Sequence, residues 1–276
     1  MLQSDQHITG FKINNISEYL KLYAELSPDK AALLYPEKIT YSDLEEKVNR
    51  YSFGLDRRGI RAGTRTLLMV PAGTEFFVLI FALLRIGAVP VLIDPGMGIK
   101  AMSSVLADLE PEAFIGIPKA HLLRLAYPRV FKTAKFKFTT GAVSLFGATR
   151  LKNLVKDNPG QYPSHSDDPD DMAAIFFTSG STGPAKGVIY TSGMLKNQIE
   201  ITKSQFNIGS NEIDLCTFPL LGLFAICHGN SSVLADMDMI HPEKLDPVKI
   251  IKNIHDFKCT QMFGSPMVLN KLAEYC

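Results

Sequence analysis

Residues 66–94 hold two short apolar runs, TLLMV (66–70) and AVPVLID (88–94), on either side of a longer one, GTEFFVLIFALLRIG (73–87). The short runs are rich in β-formers. The long run reads as a helix opened by Thr74 and closed by Gly87. Strand, helix and strand in that order make the two strands parallel, and a parallel pair needs helices on its faces. The unit restricts the chain to an α/β class with layered, mostly parallel sheets covered by helices. The same alternation returns downstream. IKAMSSVLADL (99–109), PKAHLLRLA (118–126), GMLKNQIEITKSQF (193–206), PVKIIKNIHDF (247–257) and PMVLNKLAEY (266–275) read as helices. AFIGI (113–117), MAAIFF (172–177), GVIYT (187–191), DLCTF (214–218) and CTQMF (259–263) read as strands. Two α/β subdomains joined near 157–171 fit this order, with the sheet left incomplete at its C-terminal side.

The greasiest stretch, Phe76–Leu84, ends at Arg85, far short of the roughly 20 apolar residues of a spanning helix. Peripheral membrane contact stays open. MLQSDQHITG at the N-terminus shows no basic segment followed by an apolar one, so no signal peptide is expected. A formal net charge of +1 supplies no global drive toward nucleic acid. Cys216, Cys227, Cys259 and Cys276 form no close pair. Neither zinc-type spacing nor a disulfide scaffold follows, and reduced thiols in the cytoplasm are the expectation. Charge is locally uneven. Residues 113–156 contain no acid but hold Lys119, Arg124, Arg129, Lys132, Lys135, Lys137, Arg150, Lys152 and Lys156, and SDDPDD follows at 166–171. Such a segment is a solvated basic face or a docking surface for an anionic partner. His121 and His228 each read as hydrogen-bonded structural residues.

The strongest chemical signal is FFTSGSTGPAKGVIYT at 176–191. Apolar runs flank it on both sides, so it is a loop anchored in a sheet and not a linker. Gly180, Gly183 and Gly187 let backbone N–H groups approach a ligand closely, and successive N–H groups can form an anion-binding nest. Thr178, Ser179, Ser181 and Thr182 add hydroxyl donors, and Lys186 adds a compact positive charge. Each hydrogen bond to a charged oxygen contributes about 1.5–3 kcal/mol. This is not the Walker loop, because Ala185 precedes the lysine and Gly187 follows it. The glycine spacing also excludes the dinucleotide fingerprint.

TSGSTGPAKG (178–187) resembles the phosphate-binding signature of the adenylate-forming enzymes, the superfamily of acyl-CoA synthetases, luciferases and peptide-synthetase adenylation domains. ITYSDLEEKVNRYSFGL (39–55), LLRIGAVPVLIDP (83–95), FPLLGLFA (218–225) and FGSPMVLNKL (263–272) resemble further family segments in the same order. LIDPGMGIK (92–100) and EAFIGIPKAHLLR (112–124) look most like the fatty acid–CoA ligase branch that contains the olefin-biosynthesis β-lactone synthetases.

The resemblance implies ATP and Mg²⁺ as cofactors and the joining of a carboxylate to ATP, giving acyl-AMP and pyrophosphate. It implies that Thr178, Ser179, Gly180, Ser181, Thr182, Gly183, Lys186 and Gly187 hold phosphate oxygens. It also implies that Phe218, Leu221, Gly222, Gly264, Ser265 and Pro266 line an acyl pocket. FPLLGLFA carries no charge. An ammonium left unpaired there would be costly, whereas an acyl chain gains about 0.8 kcal/mol per buried CH₂. A fatty acid or β-hydroxy fatty acid is therefore the expected substrate, with CoA or an acyl carrier as acceptor. Gly222 stands where many acyl-CoA synthetases carry a histidine, which puts ordinary CoA-ligase chemistry in question. Catalytic and metal-binding residues are expected beyond Cys276. Three readings stay open at this point: a fatty acid–CoA ligase-like enzyme piece, a β-lactone synthetase, and a truncated nucleotide- or acyl-binding module; under each, self-association through residues near 213–276 is expected.

Overall fold

A computed structural model describes residues 13–93, 97–144, 146–155, 160–178 and 186–275. The chain forms two compact units, Leu44–Leu195 and Met1–Asp43 with Lys196–Cys276. With elements numbered along the chain, the first of these holds a seven-stranded sheet. Its strands are β3 (Arg65–Met69), β4 (Val89–Ile93), β5 (Ala113–Gly116), β6 (Phe136–Thr139), β7 (Thr149–Arg150), β8 (Met172–Thr178) and β9 (Lys186–Thr191). They lie in the order β7-β6-β5-β3-β4-β8-β9. Only the β8–β9 pair is antiparallel.

Side-chain period explains the core. Leu67 lies opposite Val91 on one neighbour and Phe114 on the other. These three share one face and pack with Met102 and Leu106 of α4 (Gly98–Leu109) and Ala120 of α5 (Pro118–Ala126). The predicted βαβ unit is present. Its helix is α3 (Thr74–Ile86), in which every residue but Glu75 is buried, as expected of a helix apolar on all sides. Gly87 ends α3 in the left-handed region at φ 79°. A Cβ there would lie 2.5 Å from the His165 ring, so glycine is required twice over.

Arg85 does not end the helix, although it breaks the apolar run. It is 1% exposed and reaches α2 (Tyr41–Arg57). Both of its terminal nitrogens donate to the Glu45 carboxylate at 2.7 Å, and Nη1 also donates to Asn49 Oδ1 at 2.9 Å. Asn49 Oδ1 in turn accepts from the Tyr162 amide. Residues 160–171 belong to this same unit. His165 N donates to Arg85 O, and Asp167 accepts from the Ser192 hydroxyl. The division points of the chain fall at 43/44 and 195/196.

The other unit is built on five strands, β1 (Ala31–Tyr35), β2 (Ile39–Thr40), β10 (Ile213–Cys216), β11 (Ser231–Leu234) and β12 (Gln261–Phe263). Their order is β12-β10-β11-β1-β2, parallel except for β2. Ile250 of α8 (Pro247–Phe257) and Val268 of α9 (Pro266–Tyr275) pack with Leu215 and Val233. Asp214 and Cys216, each one residue away from Leu215, face the other side. Met267 and Leu269 flank buried Val268 but are themselves exposed. Among the described residues no helix is long and apolar enough to cross a membrane. Cys216, Cys227 and Cys259 are free thiols.

Candidate functional site

The glycine-rich segment joins two strands whose ends are in register. Thr178 pairs with Lys186, Phe177 with Gly187 and Phe176 with Val188. Since β8 runs parallel to β4, the connection leaves the sheet at the C-terminal ends of its parallel strands. Open α/β sheets bind ligands at that end. Ser179, Gly180, Ser181, Thr182 and Gly183 lie outside the described residues. Thr178 and Lys186 are placed by their backbones as the closing pair of the ladder. Gly187 has a visible packing role as well. A Cβ there would meet the Phe177 ring at 2.5 Å, so the absent side chain lets that ring lie across the hairpin.

The candidate acyl residues lie in the other unit, and β-pairing gathers them. β10 and β12 are neighbours, and Thr217 Oγ1 donates to Phe263 O at 2.7 Å just beyond the paired residues. This brings the segment from Phe218 beside the one from Gly264. Phe218 precedes α7 (Pro219–Cys227), a helix that the sequence pattern did not reveal. Proline at its first position needs no hydrogen-bond partner for a missing N–H. The Phe218 carbonyl accepts from Leu221 N, and Gly222 is buried at the start of the inward half of the helix. Phe218 is 50% exposed, so its ring stands at the open end of this segment. Gly264 has Leu269 where a Cβ would go, at 2.7 Å. Ser265 accepts from Val268 N at the start of α9, and Pro266 opens that helix.

Both singled-out histidines are structural. His121 is fully buried, with Nε2 3.0 Å from Phe138 O and Nδ1 accepting from Arg124 Nε at 3.4 Å. His228 Nε2 lies 2.9 Å from Ile199 O. Burial lowers the pKa of both, which keeps them neutral. Two buried charged sites escaped the sequence reading. One is the Glu45–Arg85 pair. The other is Asp214, whose Oδ2 is buried without a partner. Burial pushes its carboxyl up to about 7. Ser232, directly opposite it on β11, also has a buried hydroxyl without a partner. Among the described residues no group of three or more His, Cys, Asp or Glu side chains could hold a metal ion.

Parallel sheets with a glycine- and hydroxyl-rich connection at their C-terminal end define a class of ligand-binding α/β protein. The chain belongs to the AMP-binding enzyme family, whose profile matches residues 20–276. It is 38% identical over 275 residues to an olefin β-lactone synthetase of Stenotrophomonas maltophilia, covering 95% of this chain and 50% of that protein. It is 26% identical over 266 residues to a long-chain-fatty-acid–CoA ligase of Mycobacterium tuberculosis, covering 95% and 52%. A solved long-chain-fatty-acid–CoA ligase of Archaeoglobus fulgidus shares the fold, with a TM-score of 0.80 at 20% identity over 96% of this chain and 54% of that one. The chain spans about half the length of the curated relatives it matches.

Proposed function

We propose that the protein carrying this chain is an ATP-dependent ligase that adenylates a fatty acid. A carboxylate oxygen attacks the α-phosphorus of ATP, the bond from that phosphorus to the bridging oxygen of the β-phosphate breaks, and pyrophosphate leaves. Charge builds on the non-bridging and leaving oxygens, where preorganised donors contribute most. Thr178, Ser179, Gly180, Ser181, Thr182, Gly183, Lys186 and Gly187 are assigned to the phosphates. The observation that supports this reading is the register of the hairpin, which holds the backbones of Thr178, Lys186 and Gly187 at the C-terminal end of the parallel strands. Mg²⁺ would neutralise phosphate charge in this family.

Phe218, Leu221, Gly222, Gly264, Ser265 and Pro266 are assigned to the acyl chain. Supporting this, the two segments are brought together by Thr217 and Phe263, and FPLLGLFA carries no charge. ATP–pyrophosphate exchange with a panel of carboxylic acids tests the assignment. Medium-to-long fatty acids should drive exchange best. Amino acids outperforming them would sink the acyl assignment, and no exchange with any acid would favour a non-catalytic binding module.

A second reading for the final step is favoured by the β-lactone synthetase relative and by glycine at 222. With a β-hydroxy fatty acid, the hydroxyl oxygen would attack the acyl carbonyl, the acyl–phosphate bond would break, AMP would leave and the hydroxyl proton would pass to solvent. Lactone formed from a β-hydroxy acid without added thiol supports this closure. Product formed only with CoA or an acyl carrier supports thioester formation.

A further inference from the structure

We propose that the outward face of α5, with Val143 and Phe146 beside it, is a docking surface for an anionic lipid bilayer. The helix is amphipathic in an unusual sense. Its inward positions are Ala120, His121 and Arg124, whereas Leu122 is 55% exposed and Leu125 is exposed as well. Lys119, Leu122 and Leu125 are three residues apart and so lie along one face. That face is extended by the stretch after β6. Arg124 Nη2 donates to Phe146 O at 2.7 Å, which places Phe146 next to the helix. Phe146 takes a positive φ of 55° yet is 49% exposed. A left-handed backbone at an aromatic residue costs free energy, and here the residue is only half-buried. Val143 is exposed in the same stretch.

Charge fits the apolar face. Residues 113–156 contain no acidic side chain. Lys119 and Lys152 are exposed. Arg150, two residues before Lys152, donates to Ala142 O at 2.7 Å, so this basic end adjoins Val143. Exposed leucine and phenylalanine rimmed by lysine is the composition that inserts into headgroups of negative lipid. These side chains project from a helix and a turn. A fluid bilayer accepts projecting side chains without a preformed pocket, whereas an acidic protein would have to supply one.

Co-sedimentation of the chain with vesicles tests this, comparing pure phosphatidylcholine with phosphatidylcholine containing phosphatidylglycerol. The chain should bind the anionic vesicles, ignore the neutral ones, and be released as salt rises from about 0.1 M to about 1 M. Lys119→Gln/Lys152→Gln should weaken partition by about tenfold or more, since each cation near such a surface contributes about fivefold. Leu122→Ser/Phe146→Asn should weaken it by about tenfold or more through lost apolar insertion. Asparagine accepts the left-handed backbone, so thermal melts of this variant should match wild type. If it fails to fold, the lysine pair carries the test. Lys244→Glu, an exposed charge in the other unit, should change nothing. The proposal is overturned if wild type binds no vesicles, if it binds neutral and anionic vesicles equally, or if folded variants bind like wild type.

Discussion

Glu45→Leu is expected to lower the unfolding free energy by about 3–5 kcal/mol, because it leaves the Arg85 guanidinium buried without its counter-charge. Arg85 is almost fully enclosed, and both of its carboxylate bonds are 2.7 Å long. Asn49 Oδ1 would remain as a neutral acceptor for it. The double variant Glu45→Leu/Arg85→Met should recover most of that loss, since a buried ion pair replaced by apolar side chains of similar volume is often close to neutral. Urea unfolding of the two variants checks both halves. A single-variant loss below about 1 kcal/mol would mean that water reaches the pair, as it does for surface salt bridges.

Asp214→Asn should stabilise the protein increasingly as pH rises. The carboxyl titrates near 7 when folded, against an ordinary value of 3.8, because burial penalises its charged form. Below about pH 4 both states hold the proton and the group takes nothing from stability. Between about pH 4 and 7 the unfolded chain has lost the proton while the folded one keeps it. Stability then falls by about 1.4 kcal/mol per pH unit. Above pH 7 the loss levels off. Asparagine cannot titrate, so the gap between variant and wild type should widen through that window. Denaturant melts at pH 5, 6 and 7 measure it, and a gap independent of pH would place the Asp214 carboxyl in contact with water.

Elements with a complete local signal were legible. α5 and α8 run over the residues their patterns marked, and α3 ends at the glycine that its sequence required. β6 and β11 were not. β11 begins with two serines, and β6 holds a lysine between phenylalanines. Both are strands because parallel neighbours supply their hydrogen bonds, which no local pattern records. α7 was hidden for the opposite reason. It is apolar on every side, so it shows no helical period at all.

The same division applies to the candidate site. The hairpin anchors could be read from AAIFF and GVIY, since both runs have strand character on their own. The contact of Gly187 with the Phe177 ring could not, because it depends on the register of two strands across a loop. Bringing Phe218 beside Gly264 needs a hydrogen bond spanning 46 residues. Glu45 and Arg85 are 40 residues apart, and each alone looks like a solvated charge on a helix.

The 178–187 hairpin is the proposed grip on nucleotide phosphates. Fatty-acid-dependent ATP–pyrophosphate exchange, run on the full-length protein that carries this chain, tests it most directly when wild type is compared with Lys186→Ala. The expected result is a loss on the order of 100-fold in exchange, as for removal of a preorganised donor, with an unchanged melting temperature. Undiminished exchange in a folded Lys186→Ala protein would contradict it.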